Sequence, residues 1–142
     1  MATILELAQK VQRGEAPPPP IGRLLGFVLK VIDGEGPWQL APGFLAIPTP
    51  GHTRGHCVLL YQERFLFTGD HLDWDRDMKQ LSASEDYCWY SWPEQAESMA
   101  QLAAYRFDWV LPGHGQRVYL PAAEMRRQIE RLAESMRTGS QV

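Results

Sequence analysis

Three segments of this chain share one design, in which a short apolar strand is followed by a glycine and then by a polar residue of a metal-ligand type. They are "AIPTPGH", which ends at His52, "FLFTGD", which ends at Asp70, and "WVLPGH", which ends at His114. A glycine at such a position allows a tight turn and a close backbone approach. Because strand ends in open α/β sheets meet at one rim, the pattern predicts that the three side chains converge there.

The three side chains form a donor set of two imidazoles and one carboxylate, which suits Zn²⁺, Mn²⁺ or Fe²⁺. Taken alone, a Gly-His is usually a surface turn and a Gly-Asp is usually a cap. All three together, each directly after a strand, favour a metal centre with His52, Asp70 and His114 as ligands. Asp70 is the predicted catalytic residue of such a centre.

The other patterns predict an α/β fold, with a mixed sheet and helices on one face of it. A strand in "LLGFVLKVIDGEGPW" is expected to end in a turn at Asp33–Gly34. After it, in chain order, the sequence predicts strands over 44–49, 57–61, 64–68 and 109–112 and helices over 92–105 and 121–137. A hairpin turn is expected around Gln62 and Glu63. Ser91-Trp-Pro-Glu94 fits a capping box that opens the first of the two helices.

The chain is predicted to have three parts. Residues 1–30 combine a short amphipathic helix with the spacer "EAPPPP", because proline has no backbone donor for helix or sheet pairing. Residues 31–137 are the predicted folded domain, and 138–142 are a tail.

Composition excludes several classes of partner. The net charge of −3 and the pI near 5.8 indicate no basic footprint for nucleic acid. No apolar run reaches the ~18 residues that a membrane span needs. The only two cysteines, Cys57 and Cys88, form no CxxC pattern and are expected to be reduced thiols. We therefore expect a cytoplasmic protein that binds neither nucleic acid nor membrane.

Other polar and aromatic side chains outside the three segments give weaker signals for a functional site. "DWDRDM", which begins at Asp73, lacks the glycine and glutamate of a calcium-binding loop and is predicted to be a solvated acidic loop. Ser82 and Ser84 lie in no Gly-x-Ser-x-Gly motif. Four clustered aromatic residues either line a ligand pocket or cover the sheet as core, and both readings stay open. They are Trp74, Trp89, Tyr90 and Trp92.

The segments "PGHTRGH", "FLFTGDHL" and "LPGHG" resemble, in this order, the C-terminal motifs of the metallo-β-lactamase superfamily, which includes glyoxalase II. The similarity covers roughly Val31 to Ala133. "CWYSWPEQ" and "FDWVLPGHGQRV" are most similar to a cyanobacterial and plastid-type branch of unassigned function. The resemblance implies an αββα sandwich with a one- or two-metal centre that activates water for hydrolysis.

The resemblance also implies a role for individual residues. His52 would bind the first metal, His114 would bind the second, and Asp70 would bridge them. His56 would orient the turn rather than bind metal. His56 and His71 are also spare imidazoles that could complete a distorted three-ligand site, although a hydrogen-bonded role without metal is predicted for each.

The sequence also lacks a motif that is characteristic of the superfamily. Its His-x-His-x-Asp-His cluster lies upstream of these motifs, and residues 1–50 contain no histidine. Four of the superfamily's usual seven ligands are therefore missing, and the chain resembles a truncated sandwich. Because the remaining three serve different metals in the parent arrangement, at most one weakly bound Zn²⁺, Mn²⁺ or Fe²⁺ is expected.

Two functional hypotheses follow. In the first, which we favour, the chain is a degenerate or truncated superfamily member that acts by association, with weak or no catalysis. In the second, it is an active thioester or ester hydrolase that uses a mononuclear His52/Asp70/His114 site or a complementing chain. The sequence indicates no particular substrate. Because the second sheet of the sandwich would be missing, a homodimer or a complex through the uncovered sheet face is expected.

Overall fold

A computed structural model of the chain describes residues 36–139, and most of them belong to one six-stranded sheet and two helices. The strands are β1 (Trp38–Ala41), β2 (Phe44–Pro48), β3 (Cys57–Tyr61), β4 (Phe65–Gly69), β5 (Asp73–Asp75), β6 (Gln80–Ser82), β7 (Trp109–Pro112) and β8 (Val118–Tyr119). The helices are α1 (Trp92–Leu102) and α2 (Ala122–Thr138), and a 3₁₀ turn (Glu85–Tyr87) precedes α1.

The large sheet is mixed, with the strand order β1-β2-β3-β4-β7-β8. Its neighbouring strands are antiparallel except β4 and β7, which are parallel. Strands β5 and β6 form a separate antiparallel pair. The predicted α/β class, a mixed sheet with two helices, is confirmed.

Two edge strands extend this sheet beyond the four strands that the sequence predicts. Strand β1 carries two exposed residues out of four, and β8 has only two residues, so neither has an apolar run of its own. Both are strands because they pair with a neighbour that is already in the sheet.

The hairpin around Gln62 and Glu63 is confirmed. Both residues have positive φ angles, 53° and 51°, which is the sign that the two central residues of a type I′ turn require. The amide of Arg64 donates to the carbonyl of Tyr61 at 3.1 Å and closes the turn. This turn sets the register of β3 against β4.

The helix bounds differ from the predicted ones at their ends. Helix α1 begins as expected, with the Ser91 hydroxyl accepting from the Glu94 amide at 3.3 Å, but it ends at Leu102 rather than at 105. The chain continues through turns in which each amide bonds three residues back, for example from Tyr105 to Leu102 at 3.1 Å. Helix α2 continues to Thr138, and Gly139 in the left-handed conformation (φ 64°) ends it.

The core lies between one face of the sheet and the two helices. Side chains of a strand alternate between faces, so alternate residues enter the core. From the sheet it contains Ile47, Val58, Leu60, Leu66 and Val110, and from the helices it contains Ala96, Met99, Leu102, Met125, Ile129, Ala133 and Met136. Residues of both helices share one core cluster with the side chains from one face of the sheet, so both helices lie on that face, as predicted.

The predicted N-terminal helix, the proline-rich spacer and the first residues of the predicted 31–137 domain lie outside the described residues, as do residues 140–142 of the predicted tail. Neither helix in the described part of the chain is long and apolar enough to cross a membrane. Cys57 and Cys88 are both free and partly buried.

Candidate functional site

His52 lies on the turn that follows β2, and the segment before α1 holds this turn in place. The carbonyl oxygen of Gly51 accepts hydrogen bonds from the Ser91 amide at 3.0 Å and from the Cys88 thiol at 3.2 Å. The carbonyl of His52 accepts one from the Trp89 amide at 3.0 Å. The Trp89 ring packs on the imidazole of His52, with 5.2 Å between ring centroids. The segment before α1 therefore holds the backbone of this turn through hydrogen bonds and the imidazole through the Trp89 ring.

Helix α1 also connects the turn after β2 to the turn after β4. The Ser98 hydroxyl donates to the carbonyl of Pro50 at 2.7 Å. One turn of the helix earlier, the side-chain amide of Gln95 donates to the carbonyl of His71 at 3.1 Å. Both Gln95 and Ser98 are buried, so water does not compete for these bonds. The helix thereby sets the distance between two of the predicted ligand-bearing turns.

Asp70 and His114 follow two strands that are parallel neighbours, β4 and β7. The amide of Gly113 donates to the carbonyl of Gly69 at 2.8 Å, which joins the two turns directly. At the ends of these turns the His114 Nδ1 donates to the Asp70 Oδ1 at 2.7 Å. The His114 ring is 89% exposed, whereas the Asp70 side chain is 39% exposed.

The structure brings the three predicted ligands to one rim of the sheet, with Asp70 in the middle. The second carboxylate oxygen of Asp70 lies 3.9 Å from the Nε2 of His52, which is an ion-pair distance but too long for a hydrogen bond. The convergence that the three strand–glycine segments predict is therefore present. The ligand role of these residues stays a prediction.

A group of imidazoles lies behind the rim. His56 Nδ1 and the Thr49 hydroxyl form a hydrogen bond at 2.9 Å. The His56 ring stacks on that of His71 with 5.2 Å between centroids, and it meets the His52 ring edge-on at 5.7 Å. His71 is fully buried, and neither of its ring nitrogens has a hydrogen-bond partner among the described residues. His56 thus makes a hydrogen bond of the kind predicted for it, whereas the role predicted for the ring of His71 stays a prediction.

Burial keeps these inner imidazoles neutral. Loss of solvent lowers the pKa of His71 to about 3, and the nearby His56 and His52 act in the same direction. Burial also lowers the pKa of His56, with His52 as the next cause. A protonated ring at either position would be a charge without a buried counterion, which is why the neutral form is favoured.

The described residues do not fit a complete metal centre. Within residues 36–139, no three His, Cys, Asp or Glu side chains are placed so that they could hold one ion together. Catalytic zinc keeps three protein ligands at about 2.0–2.3 Å and one open position. Here one Asp70 oxygen is engaged by His114, and the other is 3.9 Å from the nearest His52 nitrogen. The rim therefore carries part of a metal-type donor set rather than a closed coordination shell.

The rim opens into a cleft of about 610 Å³. The cleft is lined by His52, Asp70, Leu72, Asp73, Ser82, Ala83, Ser84, Tyr87, Trp89, His114 and Gly115. The side chains of Tyr87 and Trp89 are 66% and 77% exposed, so they present large aromatic surfaces at this cleft. A small organic molecule with an apolar part would find both polar and aromatic contacts there.

Asp73, Ser82 and Ser84 are cleft residues that the sequence did not indicate. Pairing of β5 with β6 places Asp73 opposite Ser82, so both reach the same wall. Asp73 also packs against Gly115, where a Cβ atom would lie 2.1 Å from its Oδ2. Burial raises the pKa of Asp73, and Asp75 adds to the shift. The predicted solvated loop is therefore wrong for Asp73, and the only sequence signal for it was its position three residues after Asp70.

Three of the four clustered aromatic residues divide between the two interpretations, and Tyr90 fits neither. Trp74 and Trp92 are partly buried and pack against the core. Trp89 lines the cleft, and Tyr90 is 47% exposed and is not among the lining residues. Each reading of the cluster is therefore correct for some of its members.

No protein-family model and no curated protein matches this chain. The fold is similar to the solved structure of an archaeal metallo-β-lactamase superfamily protein from Sulfolobus tokodaii, with a TM-score of 0.51 and 22% sequence identity. The match covers 78% of this chain and 40% of that one. At this identity the likeness concerns the fold alone. The chain thus has part of the metallo-β-lactamase fold and spans less than half the length of that structure.

Proposed function

We propose that this chain acts by association with another protein chain and that, by itself, it binds at most one metal ion weakly and catalyses no hydrolysis. The observation that carries the proposal is the partial donor set at the rim. Three side chains of ligand type converge there, yet among the described residues no three can hold one ion together. The site is therefore arranged like one side of a larger centre.

Hydrolysis through a metal requires an ion that is held firmly enough to lower the pKa of a bound water to about 7. Asp70 would have to give up its hydrogen bond to His114 and move toward His52 for one ion to reach all three. The backbone resists this movement, because Gly113 is bonded to Gly69 at 2.8 Å and Gly51 is bonded to Ser91 at 3.0 Å. A site that must deform in this way is expected to bind metal weakly.

The same rigidity supports a role in association. The turns that present His52, Asp70 and His114 are already held by contacts within residues 36–139, so a partner would meet a preformed surface. A partner that supplied further ligands would complete a centre at this rim. Catalysis, where it occurs, would then belong to the assembly and not to this chain.

A second candidate function is ester or thioester hydrolysis by a mononuclear His52/Asp70/His114 site. The cleft favours this candidate, because the three side chains line it together with the exposed rings of Tyr87 and Trp89. Such an activity would need one ion bound by strained or long bonds. Metal content and turnover of the isolated chain separate the two candidates.

For metal content, we expect at most one Zn²⁺ or Mn²⁺ per chain in protein purified without chelator, and we expect mild chelation to remove it. Elemental analysis before and after dialysis against a weak chelator measures this. The same measurement is made on Asp70→Ala, which removes the carboxylate in the middle of the rim. Asp77→Ala is its matched control, because Asp77 is an exposed carboxylate that does not line the cleft. Two tightly held ions per chain would contradict the expectation.

For catalysis, we expect no measurable hydrolysis of thioesters, lactones, β-lactams or phosphodiesters by the isolated chain, with or without added Zn²⁺ or Mn²⁺. The assay is run on wild type, Asp70→Ala, His114→Ala and the Asp77→Ala control. Turnover that disappears in both site variants and persists in the control would replace the first candidate by the mononuclear hydrolase.

A further inference from the structure

The cleft at the rim carries carboxylates but no basic side chain. Two of its lining residues are aspartates, Asp70 and Asp73, and none is a lysine or an arginine. Within residues 36–139, the Asp73 carboxylate has no hydrogen-bond or ion-pair partner, and burial raises its pKa with Asp75 as the next cause. A carboxylate in such a place gains from a nearby positive charge. The cleft therefore favours a cationic ligand over an anionic one.

His52 offers the cleft a hydrogen-bond acceptor that is not in use. Its side chain is only 9% exposed, and its Nδ1 is buried without a partner among the described residues. Its Nε2 is the ring nitrogen nearest to Asp70, but the 3.9 Å to the Asp70 Oδ2 is too long for a hydrogen bond. A neutral imidazole with its proton on Nδ1 leaves Nε2 as an acceptor. A buried polar group of this kind normally has a partner, which a ligand in the cleft would supply.

The spacing of these two acceptors suits one nitrogen donor between them. A gap of 3.9 Å lets a single nitrogen lie about 2.9 Å from both the Asp70 Oδ2 and the His52 Nε2, which is an ordinary hydrogen-bond length. A primary ammonium group carries three N–H donors, so it can bond to both. A catalytic zinc ion would instead need three protein ligands at about 2.0–2.3 Å. No three side chains within residues 36–139 are placed to hold one ion.

Two aromatic rings at the cleft provide the second half of such a site. The Trp89 ring packs on the His52 imidazole at 5.2 Å between centroids and still is 77% exposed. Tyr87, also a lining residue, is 66% exposed. Aromatic faces attract a cation within about 6 Å and also pack on an apolar ligand body. The cleft volume of about 610 Å³ is in the range of small-molecule sites.

We propose that this cleft binds a small organic cation, namely a primary amine with an aromatic or other apolar body. The ammonium group donates to the Asp70 Oδ2 and the His52 Nε2, and the carboxylates of Asp70 and Asp73 balance its charge. The apolar body lies against the rings of Tyr87 and Trp89. This inference goes beyond the proposed function, since it adds a ligand class that does not require association with a partner chain.

Calorimetric titration of the full 142-residue chain with three probes of similar size tests the charge preference. The probes are phenethylamine, phenethyl alcohol and hydrocinnamate, which share a phenyl ring and are cationic, neutral and anionic at neutral pH. Phenethylamine should bind with a dissociation constant below about 1 mM and at least about tenfold more tightly than the alcohol. Hydrocinnamate should not bind, because the cleft holds two carboxylates and no basic residue.

Two substitutions test the placement of the amine. Asp73→Asn removes a charge with little change of shape, and Trp89→Ala removes the more exposed ring. Each should weaken phenethylamine binding about fivefold or more. Asp77→Asn and Tyr90→Ala are the matched controls and should bind as wild type does, because both residues are exposed and neither lines the cleft.

Circular dichroism shows whether each variant folds. If Asp73→Asn does not, Trp89→Ala decides the matter, because the Trp89 ring is mostly exposed. The proposal is overturned if phenethylamine fails to bind up to about 10 mM, or if the alcohol binds equally well. It is also overturned if folded Asp73→Asn or Trp89→Ala binds the amine as tightly as its control. These outcomes leave the proposed function untouched, since that function is tested by metal content and turnover.

Discussion

Lowering the pH from 7 to 5 is expected to reduce the free energy of unfolding of this chain by about 2 kcal/mol through His71 alone. The imidazole of His71 is fully buried, and its pKa in the folded chain is lowered from 6.5 to about 3. The unfolded chain therefore binds a proton near pH 6.5, whereas the folded chain stays neutral until about pH 3. Because the unfolded state binds more protons between these values, stability falls as the pH falls.

The pH range in which stability is lost shows which titratable groups cause the loss. His56, whose pKa is also lowered by burial, acts in the same direction below its ordinary value of 6.5. Arg137 and Arg127 lower the pKa values of the Glu97 and Glu124 carboxyl groups below their ordinary value of 4.5, so these groups lose their contribution to stability only at lower pH. Loss of stability between pH 6.5 and 5 is thus mainly a property of the buried imidazoles.

Urea denaturation at several pH values between 5 and 7.5 measures this effect. His71→Leu should flatten the pH dependence in this range, because it removes the buried titrating ring. The expectation fails if His71→Leu and wild type lose stability in parallel as the pH is lowered.

Replacing Gly51 by alanine should destabilise the chain by about 3 kcal/mol or more. A Cβ atom at Gly51 would lie 2.3 Å from the Cβ, 2.4 Å from the Cα and 2.6 Å from the backbone nitrogen of Gln95. Backbone atoms of α1 cannot turn aside as a flexible side chain can. The φ angle of 144° at Gly51 adds strain for any residue with a Cβ atom.

Gly55→Ala is the matched control, because it lies in the same connection between β2 and β3 and a Cβ atom there meets nothing within 4 Å. Urea denaturation of both variants measures the difference. The Gly51 variant should also change the fluorescence of Trp89, whose ring packs on the neighbouring His52. Equal stabilities of the Gly51 and Gly55 variants would show that a Cβ atom at position 51 does not clash with the backbone of α1.

The strand–glycine–ligand segments were predictable because each is local. Apolar runs and glycines within a few residues are enough to place His52, Asp70 and His114 at strand ends, and strand ends meet at a rim. The hairpin at Gln62 and Glu63 was predictable for the same reason, since the two apolar runs on either side of it are close in sequence.

Features that depend on contacts between distant segments could not be predicted. Asp73 reaches the cleft only because β5 pairs with β6 and packs near Gly115. Strand β8 exists only through its pairing with β7. Such pairings depend on tertiary packing, which leaves no pattern in a short stretch of sequence.

The sequence by itself determined the residue types of the predicted donor set, His52, Asp70 and His114, and the absence of histidine from residues 1–50. Only the tertiary structure decided how the donors are used: Asp70 bonds to His114, 44 residues away, and stays 3.9 Å from His52. It likewise decided that His71 is buried without a partner for its ring among the described residues. Residue types follow from the sequence, whereas hydrogen bonds and burial depend on distances of a few ångströms between segments that only the folded chain brings together.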